Sequence, residues 1–176
     1  MSKYINPSNN SPSENIELAD EVLRALYDVC KERGVFFFLS SGTCLGLYRD
    51  GTWTEDNDID VVLVCGEEDF QGVWKELVEL PGWDWTHGLR KGKMQLDLQR
   101  TAPDLPYIVP GWKPNPFTFE CFDAFEYNGM ELFAPSPVEK YLAWEFSELW
   151  RIPMTREEWI SITDWMQRRI DGRHYA

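Results

Sequence analysis

The chain has 176 residues, enough for one globular domain with a sizeable core and too few for two of full size. Apolar residues make up 43% and aromatic residues 15%, which excludes a disordered tail. Basic side chains number 17 against 30 acidic, leaving a formal charge of −13 that repels polyphosphate backbones and disfavours general nucleic-acid binding.

Residues 1–10, MSKYINPSNN, are polar and lack the apolar core of a signal peptide, so a flexible lead-in is expected. Nowhere do about 18 apolar residues follow one another, and a soluble, cytoplasmic protein without a membrane span is the expectation. Ser11, Pro12 and Glu14 form a capping box, and apolar residues recur at Ile16, Ala19, Val22, Leu23, Leu26, Val29 and Cys30. That spacing predicts an amphipathic helix to about Arg33, closed by Gly34. VFFFL (35–39) reads as a strand covered on both faces, followed by a turn of small residues in SSGTCLGLYRDG and a strand in DIDVVLVC (58–65). A second helix is expected over Glu67 to Leu80, with Phe70, Val73, Trp74, Leu77 and Leu80 on one stripe and Pro81-Gly82 stopping it.

In KMQLDLQR, Met94, Leu96 and Leu98 alternate with Gln95, Asp97 and Gln99, the period of a strand with one buried and one polar face. Five prolines between Thr101 and Phe117 exclude regular structure and predict a mobile loop; a hairpin follows across Asn128-Gly129. Capping boxes at Ser136–Glu139 and Thr155–Glu158 predict two closing helices, near 137–150 and 156–171, the helical part of one domain spanning 1–176. The order describes an α/β or α+β domain, a mixed sheet flanked by helices. Cys30, Cys44, Cys65 and Cys121 show no CxxC pair and read as small apolar residues.

Residues two apart in a strand face one side, so Asp58 and Asp60 project together with Ile59 turned to the core. Neighbouring carboxylates repel, and a divalent cation neutralises both; oxygen-only ligation suits Mg²⁺ or Mn²⁺. Asp97, on the polar face of a later strand, is the natural third carboxylate. The turn before this strand, Ser41-Gly42-Thr43, offers backbone N–H groups and hydroxyls to phosphate oxygens, and the planar fork of Arg49 suits an oxyanion. Lys91 and Lys93 precede Asp97 and either face the same mouth or lie at a solvated strand end. Tyr141, Trp144, Phe146 and Trp150 read as core rather than as a base-stacking platform.

Two other readings fit less well. Asp56, Asp58, Asp60 and Glu67 match positions of a calcium loop, but Val61 stands where that loop needs glycine and an apolar β-branched run follows. A sugar-nucleotide glycosyltransferase also uses D-x-D, yet only 57 residues precede Asp58, short for a nucleotide-binding half.

LSSGTCLGLYRDGTWTEDNDIDVVLV resembles the signature of the LicD/fukutin group of the nucleotidyltransferase-fold superfamily, a G-T-x-L-G-x-x-R turn before a D-D-D-I-D strand. Gly42, Thr43, Leu45, Gly46, Arg49, Gly51, Asp56, Asp58, Ile59 and Asp60 fall on that pattern, and APSPVEKYLAWEFSELWRIP is similar to a later segment of the family. The likeness spans roughly residues 18–153. It implies a nucleotidyltransferase-like domain whose Asp58, Asp60 and Asp97 bind Mg²⁺ or Mn²⁺. The activity it implies is transfer of a substituted phosphate or nucleotidyl group from a CDP-linked or nucleotide donor to a sugar or small-molecule acceptor. Departures are Ser41 where a first glycine is usual, Asn57 in place of an acid, Thr54 and Glu55 in place of proline and tryptophan, and a turn one residue shorter between Arg49 and Gly51. The alternative from another class is a catalytically idle module of the same fold that binds a nucleotide or a protein.

Overall fold

The computed structural model describes residues 12–53, 57–86, 88–101, 121–154, 158 and 161. Helix α1 (Pro12–Arg33) buries Ala19, Val22, Leu23, Leu26, Val29 and Cys30, the stripe its periodicity predicts. Full burial of such branched side chains contributes about 1.5–3 kcal/mol each. Gly34, at φ +67°, ends it, and Val35 N–H reaches back to the Cys30 carbonyl at 2.8 Å, the long bond of a Schellman turn.

Strand β1 (Phe36–Leu39) leads into the short helix α2 (Ser41–Leu45), which continues as a π-helical turn over Gly46–Asp50. Then follow β2 (Asp58–Val64), helix α3 (Glu67–Glu79), the two-residue strands β3 (Trp83–Asp84) and β4 (Arg90–Lys91), and β5 (Met94–Thr101). These strands form one mixed sheet in the order β1-β2-β5-β4-β3. Only β2 and β5 run parallel; the other neighbours are antiparallel. The α/β class with a mixed sheet is as the sequence indicates. The pair β3–β4 has no counterpart in the sequence reading, because two-residue strands carry no periodicity to detect.

Alternation sorts the sheet into two faces. Ile59, Val61, Leu63, Met94 and Leu96 turn to one side, where they are buried with the stripes of α1 and α3. On the other side, the far end of β2 carries Val62 and Val64, packed with Phe36 and Phe38 of β1. That cluster is covered by Phe122 and Phe133 of a separate hairpin, β6 (Phe122–Tyr127) and β7 (Met130–Pro135). Asn128 at φ +48° and Gly129 at φ +72° make its two-residue turn, the primed geometry expected for Asn-Gly. Asp20 of α1 holds the hairpin, accepting from Tyr127 Oη at 2.8 Å, Asn128 Nδ2 at 2.9 Å and also Trp53 Nε1 at 2.7 Å.

Helix α4 (Val138–Phe146) starts differently from its expected capping box: Asp123 of β6 accepts from Val138 N–H at 2.9 Å and from Ser136 Oγ at 2.8 Å. It also stops at Phe146 rather than near residue 150, because Ser147 takes φ +60° and opens a 3₁₀ turn over Glu148–Arg151. Tyr141 and Trp150 are buried in the core, with Trp144 and Phe146 packed against it. The flexible lead-in (1–10), the proline-rich loop and, apart from the helical Glu158 and Ser161, the closing helix at 156–171 lie outside the described residues.

No helix among the described residues is long and apolar enough to cross a membrane. Cys30, Cys44 and Cys65 are buried as expected, and desolvation pushes the Cys30 thiol up to about 12 and raises the other two; Cys121 is exposed.

Candidate functional site

The polar, half-buried part of the second sheet face begins where the phenylalanine cluster ends. Asp58 and Asp60 open β2 on that face, and the parallel register sets Asp60 opposite Asp97 and Asp58 opposite Gln95. One carboxylate oxygen from each of Asp58, Asp60 and Asp97 lies within 4.8 Å of the other two, each residue half-buried. Three anionic groups are thus brought together from positions up to 39 residues apart in sequence. They share one face because β2 and β5 are direct neighbours and both acids at the register point have the same pleat parity.

The strand carrying Asp58 and Asp60 is fixed from the side by the turn after β1. Since β1 runs antiparallel to β2, its C-terminal end lies beside the N-terminal end of β2 and delivers α2 to the acids. Ser40 N–H donates to the Asp60 carbonyl at 3.1 Å, and Asp60 N–H donates to Thr43 Oγ1 at 2.9 Å. The first bond continues the β1–β2 ladder past Leu39, the last paired residue of β1, and in the second a side-chain hydroxyl takes the place of a backbone acceptor. Thr43, expected to offer its hydroxyl to phosphate, is 2% exposed and positions Asp60 instead.

Ser41 is also engaged by protein. Its N–H donates to Tyr141 Oη at 2.9 Å and its hydroxyl to Glu145 Oε1 at 3.3 Å, both on α4. Its φ of +42° lies in the left-handed region, the physical reason a glycine suits this position. Burial raises the Glu145 carboxyl above its ordinary range, with the Ser41 hydroxyl pulling the other way. Gly42 sits in the first turn of α2, and Gly46 N–H returns to its carbonyl.

Arg49 does not present a free fork. Its Nε and Nη2 donate to the two carboxylate oxygens of Asp50 at 2.8 and 2.6 Å. Its Nη1 donates to the carbonyls of Trp150 and Ile152 at 2.9 and 3.4 Å. It braces the π-helical turn against the chain after α4. Lys91 turns to the α1 side of the sheet, paired with Glu21 at 2.8 Å, and Lys93 is exposed. Asp56 lies outside the described residues.

Two residues that composition and spacing do not single out border the acids. Gln95 Nε2 donates to Asp97 Oδ1 at 3.0 Å, and Arg90 Nη2 donates to Gln95 Oε1 at 2.6 Å. Gln95 shares the parity of Asp97, a usable signal; Arg90 reaches the site only through the β4–β5 pairing.

The hard, all-oxygen donor set of Asp58, Asp60 and Asp97 fits a hard divalent cation such as Mg²⁺ or Mn²⁺. No protein-family model matches the chain, and no curated protein matches it.

Proposed function

We propose that the protein is a Mg²⁺- or Mn²⁺-dependent transferase of the nucleotidyltransferase type. It moves a phosphoryl-linked or nucleotidyl group from a CDP-linked or nucleoside triphosphate donor to a hydroxyl of a sugar or other small-molecule acceptor. The observation that carries this reading is the meeting of Asp58, Asp60 and Asp97 on one half-buried sheet face. The likeness of the G-T-x-L-G and D-x-D-I-D segments to the LicD/fukutin signature supports the reaction class.

Asp58, Asp60 and Asp97 are the residues that would hold the metal, which when bound supplies charge neutralisation and polarisation at a phosphate oxygen. The protein's own part is positional. Ser40 and Thr43 clamp the start of β2, so the two acids of that strand keep one spacing. Gln95 orients Asp97 through one oxygen and leaves the other for a ligand or for the proton of an acceptor hydroxyl. Tyr141 and Glu145 tie the α2 turn to α4, so this wall of the site is braced from the carboxy-terminal side.

The test is a thermal-shift panel of CTP, ATP, CDP-choline and UDP-sugars with and without Mg²⁺. A matching donor at 100 times its Kd stabilises by about 2.7 kcal/mol, which for a chain of this size is a shift of roughly 5–10 °C. The shift is expected only with metal present. Asp60→Asn is expected to keep the fold and lose both the metal-dependent shift and turnover of the donor so identified. A variant that turns over normally overturns the assignment, and nucleotide stabilisation indifferent to metal with no turnover points to the idle module.

A further inference from the structure

We propose that Arg90 is the phosphate-facing cation of this site, held beside Asp97 by Gln95; the inference rests on the metal-dependent phosphate-transfer reading above. Arg90 stands opposite Gln95 in the antiparallel β4–β5 register, and Gln95 stands opposite Asp58 in the parallel β2–β5 register. The three therefore form one row across three strands, and Asp97 and Asp60 form the next row. Side chains paired this way share a sheet face, and with neighbouring strands about 4.8 Å apart the Arg90 backbone lies roughly 10 Å from that of Asp58. An arginine side chain and a phosphate together span that interval.

The neighbouring residue shows the opposite case. Lys91 is paired with Met94 and turned to the other face, where it meets Glu21 of α1. Among the described arginines, Arg33, Arg49, Arg100 and Arg151 are each ion-paired to a carboxylate, and Arg24, away from the acids, donates to the Asn128 carbonyl and lies over the Tyr27 ring. Arg90 makes no ion pair among the described residues, although three carboxylates lie on its own face. Its Nε is buried without a hydrogen-bond acceptor, in a half-buried side chain. An unmatched buried donor is costly, and a cationic one more so; a ligand oxyanion at the guanidinium supplies the missing counter-charge.

Gln95 explains why this charge is not cancelled internally. Its amide accepts from Arg90 at 2.6 Å on one side and donates to Asp97 at 3.0 Å on the other. A direct Arg90–Asp97 pair would neutralise the acid that a metal needs and the cation that a phosphate needs. One amide between them satisfies both and keeps both charges available. Arg49, whose fork is held by Asp50, Trp150 and Ile152, has no such opening.

The test uses the full chain and two calorimetric titrations, Mn²⁺ alone and inorganic pyrophosphate in excess Mg²⁺, on wild type, Arg90→Gln and Arg90→Lys. Arg90→Gln is expected to weaken pyrophosphate binding about 10- to 100-fold, the effect of losing a charged hydrogen-bonding group. Mn²⁺ affinity in the same variant is expected to stay level or rise, because a positive neighbour of the acids is gone. Arg90→Lys keeps the charge without the fork and is expected to fall between, with Mn²⁺ affinity unchanged; it decides the question if the glutamine variant does not fold. Pyrophosphate binding at wild-type strength in the variants overturns the role of Arg90 while leaving the metal reading standing. Joint loss of Mn²⁺ and pyrophosphate makes Arg90 a scaffold residue and overturns it too. A wild-type protein that binds no Mn²⁺ overturns the underlying reading itself.

Discussion

Three carboxylates gathered for a cation are a burden to the metal-free protein, and removing one is expected to stabilise it. The substitution is Asp97→Asn, which keeps shape and retains an acceptor for the Gln95 amide. Asp97 has an oxygen within 4.8 Å of one from Asp58 and one from Asp60, and two unit charges at that separation repel by about 0.9 kcal/mol at the dielectric of water. Because all three side chains are half-buried rather than fully exposed, the water value is the lower reference; salt screening works the other way. Losing two such repulsions gives roughly 1–2 kcal/mol, or a rise of about 2–8 °C in Tm for a chain of this size at neutral pH. The assay is thermal unfolding in chelator and again in excess Mn²⁺. Wild type is expected to gain strongly from Mn²⁺, and the variant to start higher and gain little, so that the curves cross. A variant that melts below wild type in chelator and still responds fully to Mn²⁺ would show that the carboxylates are neither in mutual repulsion nor joint ligands.

Two further perturbations test the supports of the site. Thr43→Val keeps the buried shape but leaves the Asp60 N–H without its 2.9 Å acceptor, so a loss of about 1–3 kcal/mol is expected, together with weaker Mn²⁺ binding; equal urea midpoints for variant and wild type would remove Thr43 from the site's framework. Burial raises the Glu145 carboxyl above its ordinary 4.5, so the folded protein holds that proton more tightly than the unfolded chain does. This contribution therefore costs stability progressively as pH rises above about 4.5 and is absent below it. Glu145→Gln, which still accepts from Ser41, is expected to match wild type near pH 4 and to exceed it toward pH 7. A gap between their urea midpoints that does not widen over that range would contradict the sign.

Much of the scaffold was legible residue by residue. The apolar stripe from Ala19 to Cys30 and Gly34 bound α1, the alternation in 94–98 marks β5, and Asn128-Gly129 dictates a primed hairpin turn. Asp58 and Asp60 were readable as a pair for the same reason: a strand has period two. Each of these rests on geometry within a few residues along the chain. The expected roles of Thr43, Ser41 and Arg49 rested on residue type alone. Type does not say which acceptor a hydroxyl or guanidinium will meet, and the structure engages them with Asp60, with Tyr141 and Glu145, and with Asp50 and the Trp150 and Ile152 carbonyls.

Local residue order thus specifies the long helices and strands and which side chains share a face within each, but not the two-residue strands β3 and β4, the helical turn after β1 or the early end of α4. That β5 lies parallel beside β2 with Asp97 opposite Asp60, and that β4 brings Arg90 beside Gln95, is decided only in three dimensions. The reason is that pairing across a sheet is settled by burial shared between distant segments. A register shift of one residue would turn Asp97 to the core and break the site without altering any local pattern.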